Sequence, residues 1–267
     1  MRGVVSRWFS IYASHDGSKS NRISGTLAGM ETKQWVLTLS CIDGPGIVHA
    51  ISGAVVAAGG NIAESQQSMS KDTGSFFMRL QVEPVGDADG FEARFSEALA
   101  PVTARYGMTW RLDVVGRPVR TLLLASTATH CVNDLLYRQR SGHLPIEVPL
   151  ILSNHETVRD IADFYGVPFE HRGIAGPEDR VAFERRVLEV VEEQRIELVV
   201  LARYMQILSP ELCEALAGRA INIHHSFLPG FKGANPYRQA HARGVKLIGA
   251  TAHFVTTDLD EGPIIEQ

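Results

Sequence analysis

The 267-residue sequence has no apolar run approaching the ~18 residues of a membrane-spanning helix, which argues against a membrane partner. It has no basic excess either. Lys and Arg number 26 against 30 Asp and Glu, a net charge of −4 without a long basic run, which argues against nucleic acid as the main partner. Cysteine is scarce: Cys41, Cys131 and Cys213 are scattered and odd in number. That excludes a disulfide framework, offers no zinc-ligand spacing, and fits a reduced, cytoplasmic compartment. What is present is 45% apolar residues, enough for a substantial core, in a length that allows one large or two ordinary domains.

Residues 1–29, most of an extension expected over residues 1–32, differ from the rest. Arg2, Arg7, Lys19 and Arg22 stand against Asp16 in a Ser-rich stretch. Such a segment is a disordered extension, a chain read upstream of a start at Met30, or a transit peptide over residues 1–29, which would make the location mitochondrial.

Residues 33–116 have the rhythm of a small α/β domain. WVLTLS (35–40) is a short β-rich run, and Asp43-Gly44-Pro45-Gly46 turns into a helix that Gly59-Gly60 stops. Two alternating runs around a turn at residues 71–74 predict a hairpin. An amphipathic helix and a last strand, MTWRLDVV (108–115), complete a βαββαβ, ferredoxin-like unit.

Gly116-Arg117-Pro118 reads as a linker, and residues 117–267 alternate apolar strands with helices. TLLLAS (121–126), VPLILS (148–153), ELVVLA (197–202), AINIH (220–224) and LIGATAHFV (247–255) are the strands. Such continuous apolar strands predict a mostly parallel, Rossmann-like sheet covered on both faces, with chemistry at its carboxyl ends.

One strand is anomalous. Asn222 and His224 interrupt AINIH, and residues two apart on a strand face the same way. An uncharged amide donor beside an imidazole suits a carbonyl that must become a tetrahedral oxyanion. A carboxylate from Asp258, Asp260 or Glu261 would complete the set. The spacing alone is equally served by side chains that satisfy backbone groups at a strand end.

AINIHHSFLPGFKGANPY (220–237), followed by GATAHFVTTDLDEGPII (249–265), resembles the formyltransferases that use 10-formyltetrahydrofolate. The resemblance implies that Asn222, His224 and Asp260 are the catalytic set. His225, STATHCVNDLL (126–136), ILSNH (151–155) and LARYMQILSPEL (201–212) resemble the formyltetrahydrofolate deformylases in particular. Residues 43–48 and GGNIAES (59–65) resemble an ACT domain, a module that often pairs and binds amino acids, and an ACT-like domain before the catalytic one is that family's arrangement. The resemblance therefore implies a homo-oligomer, a folate substrate, no cofactor besides it, and an amino-acid effector or a plain pairing module. The family continues past residue 267 with further segments, so a C-terminal truncation is also expected.

His253 matches a family active-site histidine and either contacts substrate or packs. Met205 and Ile207 would line an apolar pocket for the pterin, or serve the core; His225 would border it. The three histidines lack a carboxylate-rich ligand set, so no metal is expected. Adjacent His130 and Cys131 diverge at a helix start and make no dyad. Three activities remain: a water-using deformylase, an amine formyltransferase, and an amino-acid-binding regulator with an inactive catalytic domain. A transferase acting on a phosphorylated amine needs a Gly-rich phosphate cradle after the first strand. Residues 126–130 contain no glycine, which favours hydrolysis. The expected product is formate for one-carbon and purine metabolism.

Overall fold

The computed structural model describes residues 33–86, 88–233 and 235–267; the extension expected over residues 1–32 lies outside the described residues. The chain divides after Arg117 into two compact units. Among the described residues no helix is long and apolar enough to cross a membrane.

The first unit runs β1 (Trp35–Ile42), α1 (Ile47–Ala57), β2 (Gly60–Ser70), β3 (Ser75–Pro84), α2 (Phe91–Arg105) and β4 (Thr109–Val114). Its antiparallel sheet has the order β2-β3-β1-β4. Alternation along β1 sends Trp35, Leu37, Leu39 and Cys41 into the core. They meet Ile47, Ile51 and Val55 of α1, and Phe91, Phe95 and Leu99 of α2, each set at helical spacing. Gly60 is required here for close approach: a Cβ on it would lie 2.9 Å from the Phe91 ring.

The second unit begins β5 (Val119–Ala125), α3 (His130–Arg140) and β6 (Ile146–Ser153). A 3₁₀ turn (Glu156–Val158), α4 (Arg159–Tyr165), β7 (Phe169–His171) and α5 (Pro177–Glu193) follow. Next are β8 (Leu198–Ala202), α6 (Pro210–Ala215) and β9 (Ala220–His224). The last elements are α7 (Pro236–Ala242), β10 (Thr251–Phe254) and β11 (Ile264–Glu266). The seven-stranded sheet has the order β11-β10-β9-β8-β5-β6-β7. Strands β9, β8, β5, β6 and β7 are parallel neighbours, whereas β10 and β11 add on antiparallel. Leu122, Leu123 and Leu124 are all fully buried, as a central strand covered on both faces demands.

The α/β architecture is the one the strand and helix spacing predicts. It differs in detail: β7, α7 and β11 carry no expectation, and the strand expected over residues 247–255 shortens to β10. The chain leaves β5 for β6 and β7 on one side and returns to β8 and β9 on the other. The change of direction opens a crevice at the carboxyl ends of β5 and β8. On α6, the Ser209 hydroxyl accepts from the Leu212 N–H at 3.2 Å with Pro210 at the first helical position, a cap worth about 1 kcal/mol. The Glu184 carboxylate, from α5, takes the Ser209 N–H at 2.9 Å. Together they fasten the end of the segment that joins β8 to α6 and forms one wall of the site.

Candidate active site

Strand β9 delivers Asn222 and His224 to its carboxyl end on one face, and β10 lies antiparallel to it with His253 opposite Asn222 and Thr251 opposite His224. After β10 the chain turns back through Asp260, which adopts a left-handed backbone (φ 57°), a conformation Asp tolerates better than most residues. Asn222, His224, His253 and Asp260 wall a single cleft.

The hydrogen-bond directions follow from what each partner can do. The Phe254 carbonyl only accepts, and it lies 2.9 Å from His253 Nδ1, so Nδ1 carries the hydrogen. His253 Nε2 is then a lone pair, and it accepts from Asn222 Nδ2 at 3.2 Å. This fixes the orientation of the Asn222 amide and leaves its second Nδ2 hydrogen for another partner. Burial pushes the His253 ring below the ordinary histidine value, with His224 opposing protonation as well, although the Phe254 carbonyl and Asp260 work the other way. The neutral ring is the form that can accept from Asn222.

Asp260 sits between two imidazoles. Its Oδ1 is 3.3 Å from His224 Nδ1 and 3.8 Å from His253 Nε2, and its Oδ2 accepts the Gly233 N–H at 2.9 Å. Asp260, His224 and His253 are all at least nine-tenths buried, where screening by water is weak. His224 Nε2 donates to the Phe231 carbonyl at 2.8 Å, an oxygen that also takes the Ser226 hydroxyl at 2.8 Å. In this arrangement His224 turns Nδ1 to the carboxylate and commits Nε2 to the loop.

The other residues singled out in the sequence take distinct places. Met205 and Ile207 line the cleft and are more than half exposed, so neither belongs to the core. His225 borders it too, its ring 5.5 Å from that of His224 and edge-on to Tyr237 at 5.3 Å. Burial first, then the Arg203 guanidinium and His224, hold His225 below the ordinary histidine value. Asp258 and Glu261, the alternative carboxylates, do not enter the cluster: Asp258 is exposed at the cleft, and Glu261 pairs with Lys232 at 2.6 Å. Among the described residues, no group of His, Cys, Asp and Glu could hold a metal ion. The Phe231 carbonyl, the Gly233 N–H and Arg203 were not foreseen. The first two are backbone groups, invisible to side-chain motifs; Arg203 stood within LARYMQIL without a separate signal.

A mostly parallel, Rossmann-like sheet with Asn, His and Asp side chains at its carboxyl end belongs to the class of α/β domains that bind ligands at the carboxyl ends of their strands. The formyl transferase family matches residues 119–267. A formyltetrahydrofolate deformylase of Corynebacterium sp. (strain P-1) is 46% identical over 242 residues, covering 89% of this chain and 82% of that protein. The crystal structure of a formyltetrahydrofolate deformylase from Pseudomonas syringae pv. tomato is 40% identical with a TM-score of 0.81, covering 88% of this chain and 78% of that one. Glycinamide ribonucleotide transformylase 1 of Symbiobacterium toebii is 34% identical with a TM-score of 0.53, and covers 58% of this chain and 74% of its own. The chain belongs to the formyl transferase family and, within it, to the formyltetrahydrofolate deformylases.

Proposed function

We propose that the protein hydrolyses 10-formyltetrahydrofolate to tetrahydrofolate and formate. Water adds through its oxygen to the formyl carbon. The tetrahedral adduct then expels N10, which takes up a proton, and formate and one proton are released. The observation that carries this reading is the buried Asn222–His253–Asp260–His224 cluster at the carboxyl ends of β9 and β10.

Asn222 donates its remaining amide hydrogen to the formyl oxygen as charge develops there. His253 is a positioning residue that holds the amide in the donating orientation. Asp260 orients His224 and the attacking water, and His224 stabilises the oxyanion and moves the proton. To reach the substrate, His224 Nε2 exchanges the Phe231 carbonyl for the formyl oxygen. The exposed Met205 and Ile207 give the pterin an apolar wall, and His225 borders it.

Hydrolysis is favoured over transfer by residues 126–130, which offer no glycine-rich cradle for the phosphate of an amine acceptor. The deciding experiment supplies 10-formyltetrahydrofolate without any amine and follows formate. Formate should accumulate, and glycinamide ribonucleotide should not divert the formyl group. Formylated amine as the main product would replace this reading with a transferase. We further propose that the βαββαβ unit, which resembles an ACT domain, pairs with a second copy and takes a small amino acid as effector.

A further inference from the structure

Arg203 follows β8 directly, at the carboxyl end of the sheet, and borders the same cleft as Asn222, His224 and Asp260. Its backbone is left-handed (φ 61°), which a bulky non-glycine residue adopts only under constraint. Its Nε and Nη1 are closed off from solvent and have no hydrogen-bond partner among the described residues. A guanidinium cannot shed its charge, so these donors call for an acceptor that the protein does not supply.

Two neighbours locate the charge. Burial raises the Cys131 thiol and lowers the His225 ring, and Arg203 draws both downward. The guanidinium therefore acts on the start of α3 and on the end of β9 together. Arg203 stands at the carboxyl end of β8, beside the crevice where the sheet changes direction, and lines the cleft together with His225. No carboxylate pairs with it there among the described residues, whereas Asp260 is engaged with His224 and Gly233, and Glu261 with Lys232.

We propose that Arg203 is the binding residue for the carboxylate of formate, the anion that hydrolysis creates in this cleft. The inference rests on the hydrolytic reading, because only hydrolysis releases formate. A planar carboxylate accepts guanidinium N–H groups in the guanidinium plane, and neutral His225 adds no like charge beside it. The uncharged formyl group of the substrate gains much less from Arg203 than the product does. Arg203 thus draws the product off the reacting centre after the C–N bond has broken. The other carboxylates that could enter are those of the folate's glutamate tail. They are long, flexible and strongly hydrated, and fit the open rim better than donors closed off from solvent.

The test is equilibrium binding of ¹³C-formate by NMR to the full-length protein saturated with tetrahydrofolate, with no turnover required. Wild type should bind formate saturably. Arg203→Gln should bind it at least about tenfold more weakly, the value of one charge-assisted contact, with an unchanged tetrahydrofolate Kd and thermal midpoint. If that variant does not fold, Arg203→Lys keeps the charge without the planar donors and should weaken formate binding about threefold or more. No saturable binding by wild type, or the same formate Kd in the folded variant, overturns the proposal. Weakened tetrahydrofolate binding with unchanged formate binding overturns it in favour of the tail carboxylate. Formate release by wild type is assayed separately, so failure of the hydrolytic reading is distinguishable from failure of this one.

Discussion

Asn222 has one amide hydrogen to offer once His253 Nε2 has taken the other. Asn222→Ala should lower kcat by about 10²–10³, roughly 3–4 kcal/mol, the usual cost of one preorganised donor. Tetrahydrofolate affinity should stay near wild type, because the donor matters most in the transition state; turnover near wild type would refute the role. Asp260→Asn should fold, since Asn also tolerates the left-handed backbone and its amide oxygen can still accept from Gly233. Its activity should collapse, while Asp258→Asn, exposed and outside the cluster, should retain most of it; the reverse order would mean that Asp258 is the working carboxylate. His253 makes a claim about pH. Its folded value lies below the ordinary histidine value of about 6.5, chiefly through burial, so below that pH the unfolded chain binds a proton that the folded chain resists. Stability should therefore fall as pH drops through that value toward the folded one. Urea midpoints at about pH 7.5 and about pH 5.5 should differ less in His253→Gln than in wild type. An identical difference would show that His253 does not resist protonation.

The β10–β11 pair explains how a strand end holds four side chains so closely. Phe254 N–H bonds to the Pro263 carbonyl at 2.9 Å, and a Cβ on Gly262 would lie 1.7 Å from the Phe254 oxygen. That oxygen fixes His253, which in turn fixes Asn222, and Gly262 is two residues from Asp260. Gly262→Ala must push backbone from backbone. It should cost about 1–3 kcal/mol in urea unfolding, the range for forced overpacking, and lower kcat with it; an unaltered midpoint and turnover would contradict the close approach. This scale also separates what the sequence discloses from what it hides. Asn222 and His224 share a strand, so the two-residue period declares their common face. Asp260 needed a family resemblance to be chosen over Asp258 and Glu261, because loop geometry has no period. The place of His253 depends on antiparallel register between β9 and β10, while the strand alternation alone suggested a mostly parallel sheet. β7 and β11 span three residues each, too short for any period to register, and α7 is only two turns long. The Phe231 carbonyl and the Gly233 N–H belong to no residue type at all.

Each unit has its own core at the scale of the whole molecule. One cluster runs from Trp35 to Leu99 and the other from Leu122 to Ala220, with no residue in common. The hydrogen bonds and ion pairs of the Asn222–His253–Asp260–His224 cluster also fall entirely within the second unit. Catalysis and any pairing of the βαββαβ units are therefore separable by experiment. Deleting residues 1–115 should leave a folded catalytic unit that still releases formate from 10-formyltetrahydrofolate. If the βαββαβ units pair, the deleted form should be a smaller species by light scattering than the full chain. If that unit takes an amino acid, a change in turnover caused by added amino acids in the full chain should vanish on deletion. An oligomer that survives deletion would put the assembly surface on the catalytic unit, and a surviving response would move the effector site there. An effector has a further constraint: it regulates only if it binds one state of the protein better than another. By reciprocity, tetrahydrofolate should then shift the affinity of the full chain for that amino acid by the same factor that the amino acid shifts the affinity for tetrahydrofolate. Calorimetric titrations of each ligand with and without the other measure both factors, and unequal factors would show that the two ligands are not coupled through one equilibrium of the folded chain.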